Sequence, residues 1–233
     1  MIYLLYATIV VFSMTTPALF PLVVVDVALF SVDERGLRVL LVKRAMEPQQ
    51  GNWALPGGVL KPDLDADLEA AARRVLRNKV SVDIPHLEEI RTFSGAIRDP
   101  RGWSIAVLFC ALLPRDQVQA VIRNKVEAVE WADAGKPGHH LAFDHTAQLA
   151  VALQVLRDKV DRHALPLHLM PEKFTLTALQ RACEAILGRA LDKAVFRRRL
   201  KGSTDLVETD EYERGLQRPA LLYRARDGFT FNA

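Results

Sequence analysis

Apolar positions along the chain fall into runs with two different periods. Residues 22–30 form a nearly unbroken valine-rich run that predicts a strand passing through a core, residues 31–36 a turn, and residues 37–43 a returning strand. Leu68, Ala71, Ala72, Val75 and Leu76 recur at three and four residues, the spacing of one buried helix face, and Asp65, Asp67 and Glu69 read as a solvated acidic first turn that favours the helix dipole, with a rebuilt metal site as the alternative. Residues 89–96 and 104–113 predict a strand pair around a turn at 97–102, and residues 126–131 a short strand anchored by Trp131. Leu149, Ala152, Leu153, Leu156 and Val160 then mark a helix starting at His145 or Thr146, with Asp144 as its expected cap.

Beyond residue 160 the pattern changes. Residues 162–171, with two prolines and two histidines, read as a linker. Thr177 is a cap candidate for a helix whose face carries Leu179, Ala182, Cys183, Ile186 and Leu187, and Gly188 stops it. A short helix follows at 191–200, and two strands at 206–209 and 220–224 flank a polar hairpin, so the order predicts a winged helix-turn-helix. If Phe196 and Leu200 face the core, Arg198 points away from it and Arg197 and Arg199 lie on the flanks. That geometry suits one arginine reading a base edge and two beside phosphates of double-stranded DNA. Arg214 and Arg218 on the hairpin are candidate wing contacts, and a solvated basic helix that binds nothing is the alternative.

Composition changes this picture little. Half the residues are apolar and a quarter charged, as in folded globular proteins, and the net charge of +3 names no partner by itself. Its distribution is more informative: between Lys173 and Lys201 eight Lys or Arg face only Glu184 and Asp192. Cys110 and Cys183 form neither a disulfide framework nor a metal motif, which suits a cytoplasmic protein. Residues 1–21 form an apolar N-terminal extension. It lacks a basic leader, is broken by Pro17 and Pro21, and makes a poor membrane span, so no membrane partner is expected. Met14 is an alternative start; a packed arm and a membrane contact are the other readings of residues 1–13. His139, His140 and His145 lack metal-ligand spacing, and no metal site is assigned to them.

The candidate chemistry lies in the loop Trp53-Ala54-Leu55-Pro56-Gly57-Gly58, which feeds the first helix. Gly57 and Gly58 let backbone approach a ligand closely. Arg44 closes the second strand where it could meet phosphate, and Trp53 could stack on a base or fill the core. The loop and helix resemble the Nudix box, which holds a diphosphate and divalent metals in hydrolases of linked nucleoside diphosphates. Arg74 fits the arginine of the box. Its glutamate places, however, hold Ala66, Val75, Asn78 and Lys79, and the opening loop is two residues longer. Metal-assisted hydrolysis needs converging oxygen ligands, so no catalytic residue and no required cofactor are expected.

Arg98-Asp99-Pro100-Arg101-Gly102, Leu141-Ala142-Phe143-Asp144-His145, residues 171–180, Ile186 to Lys193, Phe196 to Leu200 and Arg218 to Tyr223 extend the resemblance over residues 22–226. Together they are similar to the Nudix-related transcriptional regulators of NAD metabolism (NrtR). The family tends to carry Gly-Arg-Gly in its wing, where this chain has Gly215-Leu216-Gln217. The resemblance implies an α/β (α+β) Nudix-like α-β-α sandwich with a mixed sheet over residues 22–160, a linker at 161–172 and a winged helix at 173–228. It further implies a homodimeric repressor on a palindromic operator, with ADP-ribose or a related nucleotide as effector. The ligand would meet Arg44, Trp53, Gly57, Gly58, Arg74, Arg98 and Arg101; DNA would meet Thr177, Lys193, Arg197, Arg198, Arg199, Arg214 and Arg218. An active Nudix hydrolase with an accessory DNA-binding or interaction module, and a vestigial scaffold with no small ligand, are the rival classes.

Overall fold

A computed structural model describes residues 20–81, 83–117, 126–213 and 219–231. The expectations for residues 1–19, Arg214 and Arg218 therefore lie outside the described residues. Strands β1 (Leu22–Asp33), β2 (Gly36–Arg44), β3 (Trp53–Ala54), β4 (Gly57–Val59), β5 (Leu87–Gly95), β6 (Ser104–Leu112) and β7 (Val126–Asp133) form one mixed sheet. Its path is β3-β2-β1-β6-β5, with β4 also paired to β1 and β7 to β2. Among the described strand pairs only β1–β6 is parallel, aligning Val25 with Val107 and Asp26 with Leu108.

The unbroken apolar run of β1 follows from its central place, because successive side chains enter opposite faces and both faces are covered. Val25, Val27 and Leu29 pack with Ala71, Ala72, Val75 and Leu76 of α1 (Leu68–Val80). Ala28 and Phe30 pack with Leu149, Ala152, Leu153 and Leu156 of α2 (His145–Asp161). The strand continues past the expected end at Phe30, since Ser31 is buried and paired with Arg38. The turn shrinks to Glu34-Arg35, where Asp33 Oδ1 accepts from the Arg35 N–H at 2.8 Å.

The segment read as a linker is packed. Ala164, Leu165, Leu167, Leu169 and Met170 are buried, Leu167–Leu169 forms a 3-10 turn, and their side chains join the apolar cluster under α2. That cluster continues into α3 (Leu176–Leu187) through Leu179, Ala182, Cys183 and Ile186, and on to Phe196 and Leu200 of α4 (Lys193–Leu200). Burial pushes the Cys110 and Cys183 thiols up to about 12, so both stay protonated.

The helix-turn-helix differs from expectation in its caps. Thr175, not Thr177, caps α3: its backbone is extended and its Oγ1 accepts from the Ala178 N–H at 3.1 Å, whereas Thr177 lies inside the first turn. Gly188 ends α3 in the left-handed region, as the sequence predicts. Asp192 caps α4 through the Val195 N–H at 2.8 Å, so α4 begins two residues later than expected. The wing contains β9 (Leu206–Glu213), β10 (Ala220–Ala225) and an unexpected third strand, β8 (Phe174–Thr175), on the far edge of β10.

Leu179 lies fully buried where the two modules share their core. Leu179→Ala is expected to cost about 3 kcal/mol through lost burial and the cavity left behind. Because the core is continuous, tryptophan fluorescence, which reports on Trp53, Trp103 and Trp131 of the first module, and far-ultraviolet circular dichroism should shift together in urea. Separate transitions for the two probes would contradict the shared core.

Candidate functional site

The glycine loop, the inner face of α1 and the N-terminal end of α2 enclose a cavity of about 480 Å³. Arg44, Gly57, Gly58, Arg74, Arg98 and Arg101 all line it, together with Lys61 and Lys79. The glycines are sterically required. A Cβ on Gly57 would stand 2.0 Å from Asp26 Oδ1, and one on Gly58 would stand 2.9 Å from Val75 Cγ2. Trp53 does not line the cavity; it packs against the α2-side core and stacks on His139 with ring centroids 4.9 Å apart.

Each of three arginines is fixed by its own carboxylate. Arg98 meets Asp144 through Nε and Nη2 at 2.9 and 2.7 Å and also donates to Ser104 Oγ. Arg101 meets Asp99 through Nε and Nη2 at 3.0 and 2.6 Å. Arg74 meets Asp65 at 2.6 and 2.7 Å and donates to the Val59 carbonyl, tying α1 to the loop after the glycines. The solvated reading of Asp65 is thus overturned: its side chain is only 1 % exposed, because it takes both Arg74 and the Lys61 N–H. Asp67 does cap α1, and Glu69 pairs with Arg73 one turn on.

Asp144 occupies the first position before α2 without capping it. Its oxygens go to Arg98 and to Gln148 Nε2, which also reaches Asp26 Oδ2 at 3.0 Å. His145 Nδ1 accepts from the Leu55 N–H at 2.9 Å, which leaves the proton of the neutral ring on Nε2, 3.5 Å from Asp26 Oδ2. Burial lowers the His145 pKa and favours that neutral form. Arg44 donates to the Pro48 carbonyl and lies 4.8 Å from the Phe143 ring centroid. Burial, and then the charge of Arg101, lower its pKa, so an anion in the cavity would relieve an unfavourable cation. Asp26, Phe143 and His145 were missed as cavity residues because each reads in sequence as part of a strand or a helix start.

The donor set does not suit the divalent ions that a Nudix box would hold. Among the lining residues the carboxylates are Asp26, Glu47 and Asp99; Asp26 is engaged by Gln148 and Asp99 by Arg101. Among the described residues, no group of three or more His, Cys, Asp or Glu side chains could hold a metal ion. Val75, Asn78 and Lys79, at the altered box positions, face the cavity instead.

On the second module, Phe196 and Leu200 are buried, while Lys193, Arg197 and Arg198 are exposed and Thr177 half-buried. Val195, 53 % exposed, shares the outward face of α4 with Arg198. Arg197 Nη2 lies 3.3 Å from Thr177 Oγ1, joining the two helices across the turn. Arg199 departs from its expected flanking place. It turns inward, with Nη1 2.9 Å from His163 Nδ1, its guanidinium 5.3 Å from the Phe196 ring centroid, and Nε and Nη2 removed from solvent. No described helix is long and apolar enough to cross a membrane.

The NUDIX domain family model matches residues 21–152 and the NrtR DNA-binding winged helix domain model residues 166–225. The ADPR responsive transcriptional repressor NtrR of Acinetobacter baylyi is 44% identical over 214 residues, covering 91% of this chain and 85% of that protein. Shewanella oneidensis NrtR complexed with a 27mer DNA is similar in structure, with a TM-score of 0.79, 33% identity and coverage of 88% of this chain and 93% of that one. The NUDIX domain of the same regulator complexed with ADP ribose matches at a TM-score of 0.55 and 36% identity, covering 59% of this chain and 89% of that one.

The Arg74–Asp65 pair yields a pH-dependent expectation. The hydrogen bond from Arg74 holds the Asp65 carboxyl below its ordinary range, so its folded pKa lies below its unfolded one. Its stabilisation is complete above the unfolded value of about 4 and fades as pH falls through the folded value. Asp65→Asn should therefore cost about 1.5–3 kcal/mol at neutral pH, the range for a hydrogen bond to a charged group, and the gap to wild type should close in acid. A gap in urea unfolding that is independent of pH would contradict this account.

Proposed function

Since the chain belongs to the family of NrtR regulators, a Nudix domain joined to an NrtR winged helix, we propose that it represses genes of NAD metabolism as a homodimer on a palindromic operator. ADP-ribose or a related NAD-derived nucleotide, bound in the cavity, releases it. The observation that carries this reading is the pairing of a cation-lined cavity lacking a metal donor set with an exposed basic helix on the same folded unit. The chain acts as a regulator and not as a hydrolase. Its place of action is the cytoplasm, where chromosome and effector meet.

The proposed division of labour follows from chemistry. In the cavity, Arg44, Arg98 and Arg101 meet phosphate oxygens, and the Gly57-Gly58 backbone lets the diphosphate approach. On DNA, α4 enters the major groove. Arg198 reads a guanine edge, Val195 packs on a thymine methyl, and Lys193, Arg197 and Thr177 hold phosphates. Arg199 has a different task, bracing α4 against His163 at the end of α2. The opposite end of α2 carries Asp144 and His145 at the cavity. A ligand that competes for Arg98 loosens Asp144 and is felt along α2 by the reading helix.

Two measurements test this reading. Selection from random duplexes should enrich a palindrome bound by a dimer, with the reading helices about one DNA turn apart. Arg198→Ala should lose about 1–3 kcal/mol of discrimination at one base pair, whereas Arg197→Ala should weaken all sequences evenly and lower the salt slope by about one. Enrichment of no sequence, or of an asymmetric site bound by one subunit, would sink the repressor reading. ADP-ribose should lower affinity for the enriched duplex and be recovered intact after incubation with Mg²⁺ or Mn²⁺. Turnover near 1 s⁻¹, within the ordinary enzyme range, would instead make the protein a hydrolase.

A further inference from the structure

We propose that Lys79, with Asn78 beside it, takes the place of the divalent metal at the diphosphate, so that the effector is bound without metal and Mg²⁺ competes with the protein for it. This rests on the reading of the cavity as a site for an ADP-ribose-like nucleotide. Arg74, Val75, Asn78 and Lys79 all line the cavity from α1, a repeat of adjacent pairs four residues apart that sets them on one face of the helix. Val75 lies so close to Gly58 that a Cβ there would be 2.9 Å from it, which brings this face against the glycine loop. A metal bridge between phosphate and protein would need carboxylates on that face. The chain supplies an apolar group, an amide and an ammonium.

The three substitutions act in the same direction. Val75 gives no ligand, Asn78 offers an amide N–H₂ that donates to phosphate oxygen, and Lys79 is a compact cation with three rotatable donors. Lys61 and Arg44 line the same cavity and add to its positive charge. A diphosphate bridge carries negative charge that this set neutralises directly. A second, divalent cation entering with the ligand would be placed among like charges, with the lining carboxylates Asp26 and Asp99 already engaged by Gln148 and Arg101 and a single carboxylate, Glu47, left to receive it. The loss of the box glutamates thus removes the catalytic metal while retaining affinity for its substrate, because the cation that neutralises the phosphates is now part of the chain. Lys79 is the specificity-determining group of this arrangement.

The test is calorimetric titration of the full chain with ADP-ribose, once in EDTA and once in millimolar Mg²⁺. The wild type is expected to bind at least as tightly in EDTA as in Mg²⁺. Lys79→Met should bind about tenfold or more weakly in both media, as expected for the loss of one charge-assisted contact. Lys79→Glu should bind more weakly still in EDTA, with thermal melting confirming that both variants fold. Wild-type binding that disappears in EDTA and returns with Mg²⁺ overturns the proposal and leaves the nucleotide-sensing reading intact. Wild-type affinity in a folded Lys79→Met variant overturns it equally. Absence of ADP-ribose binding by folded wild type in both media overturns the reading of the cavity and the proposal with it.

Discussion

The apolar stripe of α2, Leu149, Ala152, Leu153, Leu156 and Val160, is covered by the sheet and by the residues that lead into α3, and losing either neighbour would expose it to water. Burying apolar surface is the main favourable term in folding, at about 25 cal/mol per Å². Two modules with a common stripe therefore tend to fold and move as neighbours of one helix. Polar contacts reinforce this at the C-terminal half of α2. Arg157 Nε donates to the Ile186 carbonyl at 3.0 Å, and Arg189 meets Asp161 at 2.5 Å. The exposed Arg189–Asp161 pair adds little stability; its value is to set orientation between surfaces already held together by the core.

The N-terminal end of the same helix borders the cavity, where carboxylates from three segments hold the arginines. Arginines close to a partly buried surface need partners, since an uncompensated buried charge costs several kcal/mol. Asp144, Asp99 and Asp65 meet this need and, being bidentate, also fix the planes of Arg98, Arg101 and Arg74. A carboxylate occupies two of the five guanidinium N–H donors and leaves others for a ligand. The site is therefore preorganised without being saturated. Its electrostatics suit an anion held and released unchanged, whereas hydrolysis requires groups that activate water and stabilise a developing charge.

Much of this was legible in the sequence because the signals were local. The valine run of β1, the three-and-four spacing on α1 and α2, Gly57-Gly58, and Gly188 between two helices each encode a conformation within a few residues. Asp65, Asp144 and Arg199 were misread because their roles depend on partners distant in the chain or on the direction of a side chain. Asp144 precedes a helix and has a capping side chain, but Arg98, forty-six residues earlier, competes for its oxygens and wins with a charge-assisted bidentate contact. Thr177 lost the capping place to Thr175 because pairing of β8 with β10 holds Thr175 extended, the backbone a cap requires. The packed segment at 162–171 looked like a linker because its prolines and histidines break any helix or strand period, although Ala164, Leu165, Leu167, Leu169 and Met170 are buried.

Coupling between cavity and reading helix must also be reasonable in size. A ligand shifts a conformational equilibrium only by its difference in affinity for the two states. Hydrogen bonds to charged groups contribute about 1.5–3 kcal/mol net, and common allosteric couplings span about 1–3 kcal/mol. In the proposed mechanism a phosphate oxygen would replace Asp144 at Arg98, an exchange of the required magnitude at the first residue before α2. It need not break the shared core, which costs far more to disturb than the coupling supplies. In the proposed dimer a second cavity would double a coupling of about 1–3 kcal/mol to about 2–6 kcal/mol, a range that includes the roughly 5.5 kcal/mol needed to invert a 99:1 population. Two sites of ordinary strength, in the proposed dimer on a symmetric operator, would provide a full switch, where one site in a monomer would give a partial one.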